Sequence, residues 1–266
     1  LPTSTNVKSY DMTQGIDCTG GNLHIWGVKV HKGKIYTGFV CDASISQNKS
    51  DLRAFVQELN NTAVSTIFDF PLTYPKGLPW TAYPSITGWY PWTDDWSLKL
   101  AGVSDGAMIH PEPIFSGIEF DVDGSMVLAF ADRTGLQTGI FNYGPYPPYS
   151  TNAGYSGFVG GDLLRAYSNG TSFVLENNSK AGPSVGYGPN NNQGPGFGEF
   201  YNDDFFAGGL IHTELALGGS ALRPGSGEIF FSAMDALDNV AGRHGGVRRN
   251  SNTTGQQAGG YQVYDI

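Results

Sequence analysis

Charge is scarce in this sequence. Aspartate, glutamate, lysine and arginine together make up 15% of its 266 residues, and there are only five histidines, four methionines and two cysteines. Helix formers are thin beside 38 glycines and 15 prolines, a balance that points away from helices and toward short strands joined by many turns. No apolar run approaches the roughly 20 residues that a membrane-spanning helix needs. No Lys/Arg-rich face interrupts the formal net charge of −9, which would repel phosphate backbones and anionic lipid alike. Nucleic acid and membrane are therefore not expected as partners. The first residues, Leu1-Pro2-Thr3-Ser4, hold neither an initiator Met nor a signal peptide, so a mature or excised segment is expected.

Catalytic signatures are missing too. There is no G-x-S-x-G elbow, no H-E-x-x-H and no phosphate loop, and His24, His31, His110, His212 and His244 are scattered. His24 and His31 lie seven apart in one strand, where a period of two puts them on opposite faces and argues against a shared metal. No catalytic residue and no cofactor is expected.

What is present is a core and a repeating order of strands. The 39% hydrophobic content can supply a proper core. Residues 24–31 and 34–41 flank Lys32-Gly33 as a hairpin, and residues 52–58 and 64–70 flank Asn60-Asn61, although Ser50-Asp51 could instead cap a short helix. The order returns at residues 114–120 and 126–131 around Asp123-Gly124, and at 163–167 and 172–175 around Asn169-Gly170. A third copy runs through 213–222 and 228–233 around Pro224-Gly225, then 246–250 and 261–264 around a longer loop. The third strands open alike, as Asp51-Leu52-Arg53-Ala54, Asp162-Leu163-Leu164-Arg165-Ala166 and Gly245-Gly246-Val247-Arg248-Arg249.

Four-stranded units recurring at a period of roughly 90 to 100 residues predict an all-β partial propeller of about three antiparallel blades. Residues 1–266 then form one propeller-like region, with blades near 24–70, 114–177 and 213–265 and insertions at 71–113 and 178–209. Closing a propeller takes at least about four blades, so remaining blades of a longer chain, or neighbouring copies in a fibre, are the expected partners. A β-sandwich is the alternative, since it also uses many short strands.

Candidate sites are few. Trp89, Tyr90, Trp92 and Trp96 could stack on a glycan or anchor a protein interface, or else fill a gap beside a blade. Asp121 and Asp123 open like a calcium loop, but the third alternate oxygen ligand and a distal Glu are absent, and an ordinary Asp-Gly turn is preferred. Glu119, Asp121, Asp132 and Asp203 supply carboxylates for the competing reading, a carbohydrate-active enzyme of the glycoside-hydrolase kind. Cys18 and Cys41 either form one disulfide or stay as two buried thiols. Glycosylation sequons begin at Asn48, Asn60, Asn169, Asn177 and Asn252.

Several words carry a family resemblance: Leu23-His24-Ile25-Trp26-Gly27-Val28-Lys29-Val30, Ile67-Phe68-Asp69-Phe70-Pro71-Leu72, Glu119-Phe120-Asp121-Val122-Asp123-Gly124-Ser125-Met126, Gly161-Asp162-Leu163-Leu164-Arg165 and Ser251-Asn252-Thr253-Thr254-Gly255. The sequence resembles bacterial secreted cell-surface proteins in which a propeller-like N-terminal region precedes SdrD B-like repeat domains. The resemblance implies a large secreted protein at the cell surface, with a stalk that this chain lacks and no catalytic residues to carry over. A non-enzymatic extracellular structural or adhesion module is expected, binding protein or glycan or assembling into a surface fibre.

Overall fold

The computed structural model describes residues 6–102, 105–143, 154–204, 213–237 and 245–263. His212, His244, Phe205, Phe206 and Tyr264 lie outside them.

Alternating residues and left-handed turns build a first antiparallel meander: β1 (Leu23–His31), β2 (Lys34–Cys41), β3 (Arg53–Asn60) and β4 (Ala63–Pro71). Lys32 (φ 48°) and Gly33 (φ 78°) make the first turn, and Asn61 (φ 56°) makes the third, the conformations that match the twist of a hairpin. Asn48 caps a single 3-10 turn, Lys49–Asp51, in place of a longer helix.

Two short strands follow, β5 (Leu100–Gly102) and β6 (Ala107–Met108), and then β7 (Pro113–Phe120) and β8 (Met126–Asp132). A six-residue helix α1 (Arg133–Thr138), β9 (Ser156–Gly157), β10 (Asp162–Ser168) and β11 (Phe173–Leu175) come next. The hairpin β12 (Lys180–Ala181) and β13 (Ser184–Val185) precedes the last meander: β14 (Ala216–Leu222), β15 (Glu228–Met234), β16 (Gly245–Ser251) and β17 (Gln257–Gln262). The second large sheet is β7-β8-β10-β11, the third is β14-β15-β16-β17, and β5-β6-β9 form a small mixed sheet.

The chain is therefore all-β, with three four-stranded antiparallel sheets. As described they close into neither a barrel nor a complete propeller. They lie one on another: β1 and β2 pack on β7, and β14 packs on β7 and β8. The middle sheet is covered on both sides, which is why residues 126–131 read as an unbroken apolar run instead of an alternating one. Met126, Leu128 and Phe130 join Tyr36, Val40, Val56 and Phe70 of the first sheet. Val127 and Ala129 join Ile229, Phe231 and Ala233 of the third.

Each first strand carries a register break against its partner, between Ile25 and Val28, between Phe115 and Gly117, and between Ala216 and Ser220. The breaks meet across the stack. A Cβ on Gly27 would lie 3.0 Å from the Phe115 carbonyl, and Ser116 Oγ donates to the Gly218 carbonyl at 2.7 Å. Glycine allows this backbone-to-backbone approach.

The first of these bulges corrects the reading of the histidines. His24 pairs with Val40 and His31 with Lys34, so the extra residue puts both on the face that carries Tyr36 and Val40. They still sit far apart along β1, His24 stacked on Trp92 and His31 on Phe120.

The outer faces of the stack differ from its middle. Cys18 and Cys41 are joined as a disulfide, which holds Met12 and Ile16 against Phe39 and Phe55 on the outside of the first sheet. Beyond this cover Trp26, Val28, Val30 and Ile35 remain exposed. On the third sheet Val247 and Tyr261, paired across β16 and β17, are exposed.

Candidate functional site

The segment between β4 and β7 is anchored before it forms any surface. Trp89 is buried, its indole donating to the Tyr74 hydroxyl at 3.2 Å, and Tyr74 donates in turn to Asp162 at 2.6 Å. Glu112, fully buried, accepts from Lys99 Nζ and Arg133 Nη1, each at 2.8 Å, from the Thr134 hydroxyl at 3.1 Å and from the Thr93 amide at 2.7 Å. The Trp92 amide donates to the Asp42 carbonyl and its indole to the Pro113 carbonyl, each at 2.9 Å.

These contacts leave a cleft of about 370 Å³ lined by Asn22, His24, Asp42, Gln47, Trp92, Asp94 and Arg133. Trp92 is its centre. The His24 ring stacks on it with centroids 4.0 Å apart, and the Arg133 guanidinium lies 4.8 Å from its centroid. His24 Nε2 is 2.7 Å from Asp42 Oδ2, and Arg133 Nη2 is 2.9 Å from the well-exposed Asp94. Burial works to raise the Asp42 carboxyl, but hydrogen bonds from His24 and from the Asn22 and Ser44 amides outweigh it and hold it at about 2. The cleft is thus a wall of one indole backed by imidazole and guanidinium, with the carboxylates of Asp42 and Asp94 at its edge. Such a surface suits hydrogen bonding to hydroxyl-rich or polar ligands.

Comparison with known proteins finds similarity to three colossins of Dictyostelium discoideum. The chain is 28% identical to colossin-A over 278 aligned positions, 99% of this chain and 2% of that protein. It is 27% identical to colossin-B, covering 89% of the chain and 6% of the relative, and 26% identical to colossin-C, covering 99% and 24%. The chain spans at most about a quarter of the length of these relatives. No family model and no solved structure matches. All three relatives come from Dictyostelium, and none is a bacterial surface protein.

The four aromatic residues singled out from sequence do not share one platform. Trp89 fills the core, and Tyr90 sits under the Lys49 ammonium, 3.4 Å from its centroid, beside His110. Only Trp92 enters the cleft. Trp96 lines a second cavity of about 250 Å³ with Met108, Thr138, Asn142, Tyr143 and Tyr155.

The acidic candidates are dispersed as well. Glu119 pairs with Lys29 at 2.6 Å, and Asp121 and Asp123 both pair with Arg165, at 2.9 and 3.0 Å. Asp132 is buried and, by burial above all, raised to about 7, while accepting from the Glu112, Thr134 and Gly160 amides. Asp203 is buried and accepts from the Leu163 amide. Among the sequons, Asn48, Asn60, Asn169 and Asn177 are exposed. Asn252 differs from them: it is 2% exposed and its side-chain carbonyl accepts from the Tyr201 hydroxyl, which leaves no room for a glycan in the folded chain.

Sequence reading missed His24, Asp42 and Arg133 as cleft residues. One signal was present. Asp42 and Asp235 directly follow the second strand of the first and third large sheets, Asp132 is the last residue of the second strand of the middle one, and all three are buried. Asp42 Oδ1 accepts from the Asn22 and Ser44 amides as Asp132 Oδ1 does from those of Glu112 and Thr134, tying the end of the second strand to the start of the first.

Proposed function

We propose that the chain is a non-enzymatic structural module of a longer extracellular surface protein, three blades of a β-propeller that displays the Trp92 cleft for contact with glycan or protein. The carrying observation is the contrast between the sheets: strand β8 of the middle one is buried on both faces, while the outer ones leave Trp26, Val28, Val30 and Tyr261 exposed. Exposed apolar faces of this kind mark surfaces that another element covers, here further sheets of the same type. Two findings support the setting. The relatives are many times longer than the aligned region, and a disulfide favours an oxidising compartment.

Sedimentation equilibrium tests the reading. The isolated chain should self-associate reversibly and bind a hydrophobic dye, and Val28→Lys with Tyr261→Lys should abolish both while leaving the circular dichroism spectrum unchanged. A chain that is monomeric at all concentrations and dye-silent would defeat it. Binding on a glycan array that is lost in Trp92→Ala, without turnover of the bound glycan, would establish the contact role.

A further inference from the structure

We propose that Glu214, Asp204 and Gln193 form a calcium site where the residue 71–113 insertion meets the chain on either side of β14's approach. Three segments converge there. The Glu214 amide donates to the Leu78 carbonyl at 3.0 Å, Asp204 and Glu214 face each other across an isolated antiparallel bridge, and Gln193 Nε2 donates to Asp204 Oδ2 at 2.9 Å.

Asp204 also shares a side-chain hydrogen bond with Glu199, and the oxygens that remain have no donor among the described residues. Glu214 is 2% exposed, yet among the described residues neither of its carboxylate oxygens has a hydrogen-bond donor, and Gln193 Oε1 is also unpartnered. Glu214 Oε1 and Gln193 Oε1 lie 1.5 and 2.1 Å from the point where a Cβ on Gly77 would sit, so two acceptors abut with no proton donor between them. Gly77, at φ 111°, is the residue that lets them approach.

Charge points the same way. Asp162, Glu199, Asp203, Asp204 and Glu214 are all buried and act on one another, and among the described residues the cations that reach them are Lys76, whose ammonium has no hydrogen-bond partner there, and Arg248. Burial first, then Asp204, Asp203 and Asp162, push Glu214 well above the ordinary carboxylate range, against a lowering pull from Lys76. Such a cluster must gain protons or a cation. The available ligands are carboxylate and amide oxygens without nitrogen or sulfur, the donor set of a hard ion, and their irregular loops suit the flexible shell of calcium better than the strict octahedron of magnesium. Among the described residues no three His, Cys, Asp or Glu side chains surround one point, so the proposed site rests on the Glu214 and Asp204 carboxylates with the amide oxygen of Gln193.

Thermal unfolding at pH 7.5 after chelation decides the matter. Millimolar calcium chloride should raise the midpoint by about 5 °C, with magnesium giving less than half of that. Glu214→Gln should abolish the calcium shift while leaving the calcium-free midpoint equal or higher, because it removes a buried charge. Titration calorimetry should show one calcium bound to the unaltered chain and none to the variant. No shift and no heat with the unaltered chain, an equal response to magnesium, or a calcium shift that survives in Glu214→Gln would each overturn the assignment.

Discussion

Replacing Glu112 by alanine should be among the most damaging single changes in the chain. Its carboxylate is fully buried and neutralises Lys99, whose side chain is 1% exposed, while also holding Arg133, Thr134 and the Thr93 amide. Arg133 keeps Asp94 and the Thr93 carbonyl, so most of the loss falls on Lys99. An uncompensated buried charge costs about 3–5 kcal/mol. The same change should lower the thermal midpoint by roughly 10 °C at this chain length. The deficit should also depend on pH. Burial already lowers the Lys99 pKa, and losing Glu112 lowers it further, so the folded state holds its proton less tightly than the unfolded state does. Stability then rises with pH between the depressed folded value and the ordinary lysine value, and the deficit is full below that window and shrinks through it. Urea denaturation of both proteins at pH 7 and 9.5 measures this. A deficit below about 1 kcal/mol at pH 7, or one that grows toward pH 9.5, would refute the reasoning.

Four further outcomes are expected. Replacing Cys18 and Cys41 by serine should cost about 3 kcal/mol in denaturation, because the bridge spans a sequence separation of 23, and an unchanged midpoint would contradict it. Gly38→Ala should cost about 1–3 kcal/mol, since the new methyl would stand 2.7 Å from the Phe115 ring, and a neutral result would mean that the sheets slide apart freely. Burial, its leading cause in each case, raises Asp162 to about 6, Asp132 to about 7 and Glu176 to about 8. Their folded values exceed the unfolded ones, so their contribution is present at acid pH and is lost as pH rises through 6 to 8, and the calcium-free thermal midpoint should fall from pH 5 to pH 8.5. A flat or rising profile would oppose this. In a host that glycosylates asparagine, peptide mass spectrometry should find sugar at some of Asn48, Asn60, Asn169 and Asn177 and none at Asn252.

The strands were legible because their signals are local. Lys32-Gly33 and Asn61 have the turn conformations that their residue types suggest, and the apolar run at 126–131 has the length of a doubly buried strand. The face assignment of His31 failed because a bulge adds a residue without any side-chain mark, although glycines at 27, 117 and 218 sit at all three breaks. The cleft was hidden for a different reason. It joins His24, Asp42, Trp92 and Arg133 from four separate elements, and the separation of Trp89 from Trp92 into core and surface is set by Tyr74 and Pro113 from outside the aromatic segment. The buried acids could be counted from sequence, but their convergence on Lys76 could not.

The break in β1 also governs how this chain tolerates insertions and deletions. The ladder from Leu23 to Ile25 and the ladder from Val28 to His31 run along one continuous β2, with a single surplus residue between them. Dropping Trp26 would leave every remaining residue of β1 opposite its present neighbour, whereas a deletion at Val30 would displace the whole end of the strand by one place and turn its side chains over. Length changes in the first strands should therefore be absorbed at these breaks and rejected elsewhere.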